Sequence, residues 1–411
     1  MSAMDRRAGP SFVGETIETT VERLVAGGVG LAHAPGKTLF VAAAAPGDRV
    51  RVRIERDQGK VAHARIVDLL EPSSDRIEPP FPGLAASGAA GFAHLRYPAQ
   101  LAAKQTIVHD ALRRIGGIPL EAPPEIVPSP REWGYRIRAE WHYDPVQPAL
   151  GFLAAGSRRV VDLPDDPFVV PELALAYTDL RATMMAGRLG DEALTIQAAT
   201  AGGDVSLQPD PDGGEPREIV AEVAGERLAF DARCFFQGNG SLLEPLVEEA
   251  MRFADVPSAE APALDLFCGV GFFTLPLARR HRRVIGLELD PHSATFAQRN
   301  ADEAGLRGVR ITAQSVEDWG KEAFRSYGRP AFLLLDPPRS GLAPSAARGL
   351  LKLRPGRVTY VSCDPATLAR DLKLLMGDGY VLERLVAFDL FPQTPHVEVV
   401  AHLTRTTEEA G

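Results

Sequence analysis

Cysteine is scarce in this chain: Cys234, Cys268 and Cys363 are the only three in 411 residues, far apart and with no CxxC pair. Such spacing excludes a disulfide framework, a thiolate zinc site and a four-thiolate iron–sulfur cluster. Long apolar runs are missing too, none approaching the roughly 20 residues that a membrane-spanning helix needs. The opening residues, Met1-Ser2-Ala3-Met4-Asp5-Arg6-Arg7, lead into no apolar signal-peptide core. Nor is there an excess of positive charge. The net charge is −9, so any contact with nucleic acid must come from local basic patches. These absences describe a cytoplasmic protein with no membrane partner. A hydrophobic content of 45% over 411 residues provides the cores of roughly two or three domains.

Along the chain, residues 1–13 read as a frayed tail. Residues 14–72 alternate short strands with turn residues: Thr16–Leu24, Gly27-Gly28, Lys37–Val41, Pro46-Gly47-Asp48, Arg49–Arg56, Gly59 and Val61–Leu69. Five short strands with glycine turns predict a small β-barrel of the oligonucleotide-binding kind. In Arg49-Val50-Arg51-Val52-Arg53-Ile54 the period of two places the apolar residues inside and Arg49, Arg51 and Arg53 on one outer face. That face either tracks phosphates or is an ordinary solvated surface diluted by Asp48, Glu55 and Asp57.

A proline-rich stretch from Pro72 to Pro82 opens a second region, residues 73–240, expected to be a mixed α/β middle domain. Its spacing predicts a helix over Tyr97–Ile115 ended by Gly116-Gly117, and strands at Arg138–Tyr143, Leu194–Ala199 and Glu218–Val223. From residue 241 to 411 strands and helices alternate. The expectation there is a Rossmann-like, doubly wound and mostly parallel α/β sheet.

The chemistry-bearing residues fall at the strand ends of that sheet. The first strand closes on Asp265-Leu266-Phe267-Cys268-Gly269-Val270-Gly271, where Gly269 and Gly271 permit close approach of a ligand. Glu288, about 20 residues on, ends the second strand, where it can accept from a ribose hydroxyl. Position 274 is Thr where a dinucleotide fingerprint would have its third glycine, so S-adenosylmethionine fits better than NAD. Glu317 and Asp318 lie near the adenine or are two solvated acids. The fourth strand ends in Asp336-Pro337-Pro338-Arg339, a stiff segment whose arginine can hold a phosphate or a base carbonyl.

The fifth strand delivers Cys363 just ahead of a helix that Pro365 can begin. The helix amides would stabilise a thiolate there, although an isolated cysteine is more often a small buried residue. Glu398 starts the last strand. A thiol and two carboxylates, Cys363, Asp336 and Glu398, thus surround one cofactor mouth.

These motifs, in order and spacing, resemble the RNA 5-methyluridine (uracil-C5) methyltransferases. The barrel is similar to the TRAM domain of the 23S rRNA members, and Phe235-Phe236-Gln237-Gly238-Asn239 is similar to a family segment whose glutamine contacts cofactor. The resemblance implies Cys363 as nucleophile, Glu398 as base, and Gln237, Phe267, Glu288 and Asp336 as contacts of S-adenosylmethionine, beside Gly269 and Gly271 of the glycine turn. It also implies an RNA substrate, rRNA rather than tRNA, and the chain is expected to be a monomer. Many relatives hold an iron–sulfur cluster through C-x5-C-x2-C and a later cysteine. The matching positions here are Phe81, Ser87, Ala90 and about Asp166, so no cluster and no metal is expected. Phe272 replaces a small polar residue frequent in relatives. Two rival readings are an N-methyltransferase on a nucleobase or protein, suggested by Asp336-Pro337-Pro338, and an RNA-binding relative without catalysis. Arg339 in place of an aromatic residue and the pairing of Cys363 with Glu398 oppose the first. Intact catalytic positions oppose the second.

Overall fold

The computed structural model describes residues 12–211, 213–255, 261–319 and 329–406, so the expected tail lies outside the described residues up to residue 11. The chain divides into two compact units, one formed by residues up to Ile107 with Pro392–Pro395, the other by the remainder.

In the first unit, strands β1 (Thr16–Val25), β2 (Val29–Ala34), β3 (Lys37–Ala42), β4 (Arg49–Asp57) and β5 (Val61–Glu71) close into a barrel in the order β1-β2-β3-β5-β4. The expected barrel is present. Val50, Val52 and Ile54 point inward and are buried with Val21, Leu39 and Ala62, as the alternation of β4 requires. Arg49 and Arg51 face outward, but not unpartnered. Arg49 pairs with Glu71 and Glu18, and Arg51 with Glu18 and Asp68, at 2.6–3.5 Å. The late segment Pro392–Pro395 joins this unit through Gln393, whose side-chain oxygen accepts from Gln100 Nε2 at 2.8 Å and whose amide donates to Gln100 Oε1 at 2.9 Å.

Helix α1 (Tyr97–Ala111) continues as a wide turn over Leu112–Gly116, and Gly117, at φ 66°, ends it. The first strand of the second unit is β6 (Glu125–Val127). An antiparallel sheet follows, made of β7 (Arg138–Asp144), β8 (Ala149–Leu153), β9 (Val160–Asp162), β10 (Leu194–Ala201) and β11 (Asp204–Gln208) in the order β11-β10-β7-β8-β9. Helix α2 (Pro171–Met185) packs on it through Leu173, Tyr177 and Leu180. A hairpin, β12 (Ile219–Val223) with β13 (Glu226–Phe230), and helix α3 (Leu243–Ala250) lead into the large sheet.

That sheet contains β14 (Ala263–Leu266), β15 (Val284–Glu288), β16 (Val309–Ala313), β17 (Phe332–Leu335), β18 (Arg357–Ser362), β19 (Tyr380–Phe388) and β20 (Glu398–Arg405). Its helices are α4 (Thr274–Ala278), α5 (Pro291–Glu303), α6 (Pro344–Leu353) and α7 (Pro365–Gly377). The order is β16-β15-β14-β17-β18-β20-β19-β6. The five strands from β16 to β18 run parallel, as expected, and β20 inserts antiparallel between β18 and β19. The edge strand β6 comes from the stretch read as a middle domain and pairs with β19. Successive strand residues alternate between two cores: Phe332 and Leu334 enter one, Leu333 and Leu335 the other. Burial on both faces explains why these strands are mostly apolar, with buried polar residues such as Asp265 and Thr359 as exceptions.

Candidate active site

Parallel register aligns the strand ends. Leu266 of β14 lies beside Leu287 of β15 and Leu335 of β17, so Phe267, Glu288 and Asp336 emerge together at the carboxyl edge. Phe267 holds a positive φ of 68° without being glycine, a costly conformation that turns the chain sharply after β14. Gly269 and Gly271 follow at φ 54° and 96°, and a Cβ on Gly271 would lie 2.9 Å from Leu275 Cδ1. The Gly269 amide donates to Glu288 Oε2 at 2.9 Å and the Asp290 amide to Oε1 at 2.8 Å, which fixes the carboxylate at the mouth. Asp290 in turn caps α5 by accepting from the His292 and Ser293 amides.

Phe235, Gln237, Phe267, Gly269, Phe272 and Asp336 line a cleft at this edge. Gln237 Nε2 donates to Asp336 Oδ2 at 3.3 Å. Below the cleft Asp265 is fully buried and accepts from Thr274 Oγ1 at 2.5 Å, while its other oxygen lacks a partner among the described residues. Position 274 therefore serves a buried hydrogen bond rather than a phosphate. Burial, with a smaller push from Glu288, raises the Asp265 carboxyl to about 7. Burial and then Asp265 raise Asp336 to about 8. Phe272 packs edge-on against Phe236 at 5.4 Å and Phe273 at 4.7 Å, so it is a wall of the cleft.

The thiol edge is set by β18 and β20. Their antiparallel register pairs Val361 with Val400 and Ser362 with Val399, and one further step places Cys363 across from Glu398. Glu398 is 3% exposed, far from the solvated strand end that its position alone would allow. Burial, and then Asp336, push its carboxyl well above the usual range, against a smaller pull from Arg339. Cys363 is half-buried. Contrary to the expectation from the sequence, the helix amides are not left to stabilise a thiolate there. Asp364 Oδ1 takes the Ala366 and Thr367 amides at 3.0 and 2.9 Å, so the start of α7 is capped by its own residue. Burial and then the Glu398 charge push the Cys363 thiol up to about 11, and the adjacent Arg339 guanidinium only partly offsets them.

Other residues singled out in the sequence sit elsewhere. Asp318 bonds to Ser315 in a local turn. Ser87 Oγ donates to Leu84 O, and Asp166 accepts from Trp141 Nε1 and the Phe168 amide, so both positions have structural partners. Asp231, Cys234 and His292 bring donor atoms within 4.8 Å of one another. However, Arg233 donates to both Asp231 oxygens and His292 Nε2 lies 2.9 Å from Oδ2, so this carboxylate is already partnered. Sequence reasoning missed the Asp265–Thr274 pair. Its signal was an acid inside an otherwise apolar strand with a hydroxyl nine residues on.

The family model described as tRNA (uracil-5-)-methyltransferase matches residues 218–406, and the TRAM domain model matches residues 10–67. The chain is 34% identical to the 23S rRNA (uracil(1939)-C(5))-methyltransferase RlmD of Edwardsiella ictaluri, over 93% of this chain and 94% of the relative. It is 32% identical to an uncharacterized RNA methyltransferase of Gloeobacter violaceus, over 97% and 98%. In fold it is similar to the Pyrococcus abyssi tRNA (uracil-54, C5)-methyltransferase solved with S-adenosyl-L-homocysteine. The TM-score is 0.74 at 24% identity, covering 94% of this chain and all of that one. No helix among the described residues is long and apolar enough to cross a membrane. The chain belongs to the S-adenosylmethionine-dependent RNA uracil-C5 methyltransferase family, with a TRAM domain at its N-terminal end.

Proposed function

We propose that this protein methylates C5 of a uridine in 23S rRNA, with Cys363 as nucleophile and Glu398 as base. The observation that carries the reading is the register that sets the Cys363 thiol opposite a buried carboxyl, beside the cleft that ends at Asp336. The rRNA assignment rests on relatives of the 23S type over 93–96% of the chain and on the TRAM domain.

The cleft suits S-adenosylmethionine. Glu288, fixed by two amides, can accept from ribose hydroxyls; Asp336 and Gln237 can hold the amino-acid end; Phe267 and Phe272 supply apolar walls. When bound, the cofactor supplies a sulfonium methyl group. Its ammonium on Asp336 would also lessen the repulsion that pushes Glu398 up.

C5 of uracil is a weak carbon nucleophile. The Cys363 sulfur adds to C6, its proton having left to solvent, and the ring electrons move to O4 as an enolate whose C5 becomes nucleophilic. Once C5 carries the methyl group, the Glu398 carboxylate removes the C5 proton. The C5–C6 double bond re-forms and the sulfur leaves as thiolate. A carboxyl with raised proton affinity is well matched to that removal. Burial and then Glu398 raise the Cys363 thiol, so addition draws on its thiolate form.

The test is mass-spectrometric mapping of 5-methyluridine in 23S rRNA from a strain lacking this gene. One or more sites should lose the methyl group and regain it with the wild-type chain but not with Cys363→Ala. Unchanged 23S rRNA alongside a loss in tRNA would reassign the substrate.

A further inference from the structure

The stretch Thr367–Asp371 belongs to the motif that introduced Cys363, yet the proposed chemistry uses neither Arg370 nor Asp371. Thr367, Arg370 and Asp371 are spaced i, i+3, i+4 and so share one face of α7. That face is spent on a single tight turn, Pro338–Leu342. Thr367 Oγ1 donates to the Arg339 carbonyl at 3.1 Å. Arg370 Nη2 donates to the Ser340 and Leu342 carbonyls, both at 3.1 Å. Asp371 Oδ2 accepts from the Leu342 amide at 2.8 Å and from Tyr360 Oη at 2.7 Å, while Oδ1 accepts from Arg370 Nε at 2.8 Å. Tyr360 lies on β18, three residues before Cys363, and α7 starts two residues after it. Gly341, at φ 68°, lets the turn come this close: a Cβ there would lie 2.6 Å from both Arg370 Nη2 and Asp371 Oδ2.

The turn held in this way presents Arg339, whose exposed guanidinium pulls the Cys363 thiol down against the larger push of burial and Glu398. One helix thus anchors at its start the strand end that carries the thiol, and one turn later the backbone that carries the facing cation. We propose that Thr367, Arg370 and Asp371 are positioning residues that hold Arg339 beside Cys363. The catalytic consequence rests on the proposed function, since a mobile Arg339 could not meet the uracil at the thiol. The hold itself is a property of the protein alone, so it can be measured without RNA.

The test uses the full chain and two alkylating reagents, anionic iodoacetate and neutral iodoacetamide, with labelling of Cys363 quantified by peptide mass spectrometry. The rate ratio of the two reagents reports fixed positive charge beside the sulfur, because thiolate content and access affect both alike. Arg339→Ala should lower the ratio about fivefold, the effect of removing a unit charge from about 4 Å in water. Arg370→Met should lower it by a similar factor, and the double variant no further, because both act through one cation. A wild-type ratio in Arg370→Met or in Arg339→Ala overturns the proposal, as does a double variant in which the two losses multiply. If Arg370→Met lacks a wild-type melting transition, Thr367→Val, which deletes one bond to the Arg339 carbonyl, replaces it with the same readings. Failure of the uridine reading would show instead as RNA methylation unaffected by Cys363→Ala, whatever the alkylation ratios.

Discussion

Cys363 and Glu398 stand opposite each other across the antiparallel pair β18–β20, one step beyond the Ser362–Val399 partners. They are separated by 35 positions in sequence, and each is delivered by the end of a buried strand. This relationship makes the two residues separable in experiment, because a nucleophile and a base act at different stages of the same adduct.

Glu398→Gln keeps the size of the side chain but removes the base, so addition and methyl transfer proceed while elimination stalls. RNA should remain bonded to Cys363 as a slow band on a denaturing gel, carrying label from methyl-labelled cofactor. Cys363→Ala should abolish both turnover and band, and so should the double variant. Wild-type turnover in Glu398→Gln would remove Glu398 from the role of base.

The buried carboxyls give a pH dependence of known sign. Asp265 and Asp336 are raised to about 7 and about 8, whereas unfolded aspartates titrate near 3.9. The folded chain therefore binds more protons than the unfolded one in this window. The stabilisation is complete below about pH 4 and is lost as pH rises through the folded values. His94 and His281, lowered by burial, act in the opposite sense only below their ordinary range. The melting temperature of the cofactor-free protein should fall from about pH 6.5 to about pH 8 and level off above that, and Asp336→Asn should flatten the fall. A rise over that range, persisting in Asp336→Asn, would contradict the burial account.

RNA affinity is expected to reside in the barrel and not in the chemistry. Arg51→Ala with Arg53→Ala should weaken RNA binding and reduce the salt slope by about one to two, roughly 0.9 for each lost phosphate contact. S-adenosylmethionine affinity should not change. An unaltered slope would mean that Arg51 is occupied by Glu18 and Asp68 in the complex as it is in the free chain.

Iron should not copurify. By the resemblance, Phe81, Ser87, Ala90 and a residue at or near Asp166 stand where cluster-holding cysteines would be, and none of the chain's three cysteines lies there. Anaerobic purification followed by iron analysis checks this, and a brown protein with stoichiometric iron would defeat it.

What the sequence by itself determined is local. The β-alternation of Arg49–Ile54 marks a barrel strand, the glycines after Asp265 mark the turn of a cofactor site, and the run before Asp336 marks a buried strand with a polar end. Cys363 at a strand end and Glu398 at a strand start were legible for the same reason: period and turn chemistry act over a few residues. Only the tertiary structure decided which ends meet. Nothing within β20 states that it pairs with β18 rather than extending past β19, or that β6 closes the sheet edge from a distant segment. Charge states were equally out of reach. Desolvation is a sum over neighbours from many parts of the chain, and it raised the Cys363 thiol where the nearby helix start suggested the reverse. The same holds for the outer arginines, whose partners Glu18, Asp68 and Glu71 arrive only when the barrel closes. Residue types and spacing select the chemistry, but partner and protonation state are fixed by contacts between residues far apart in sequence.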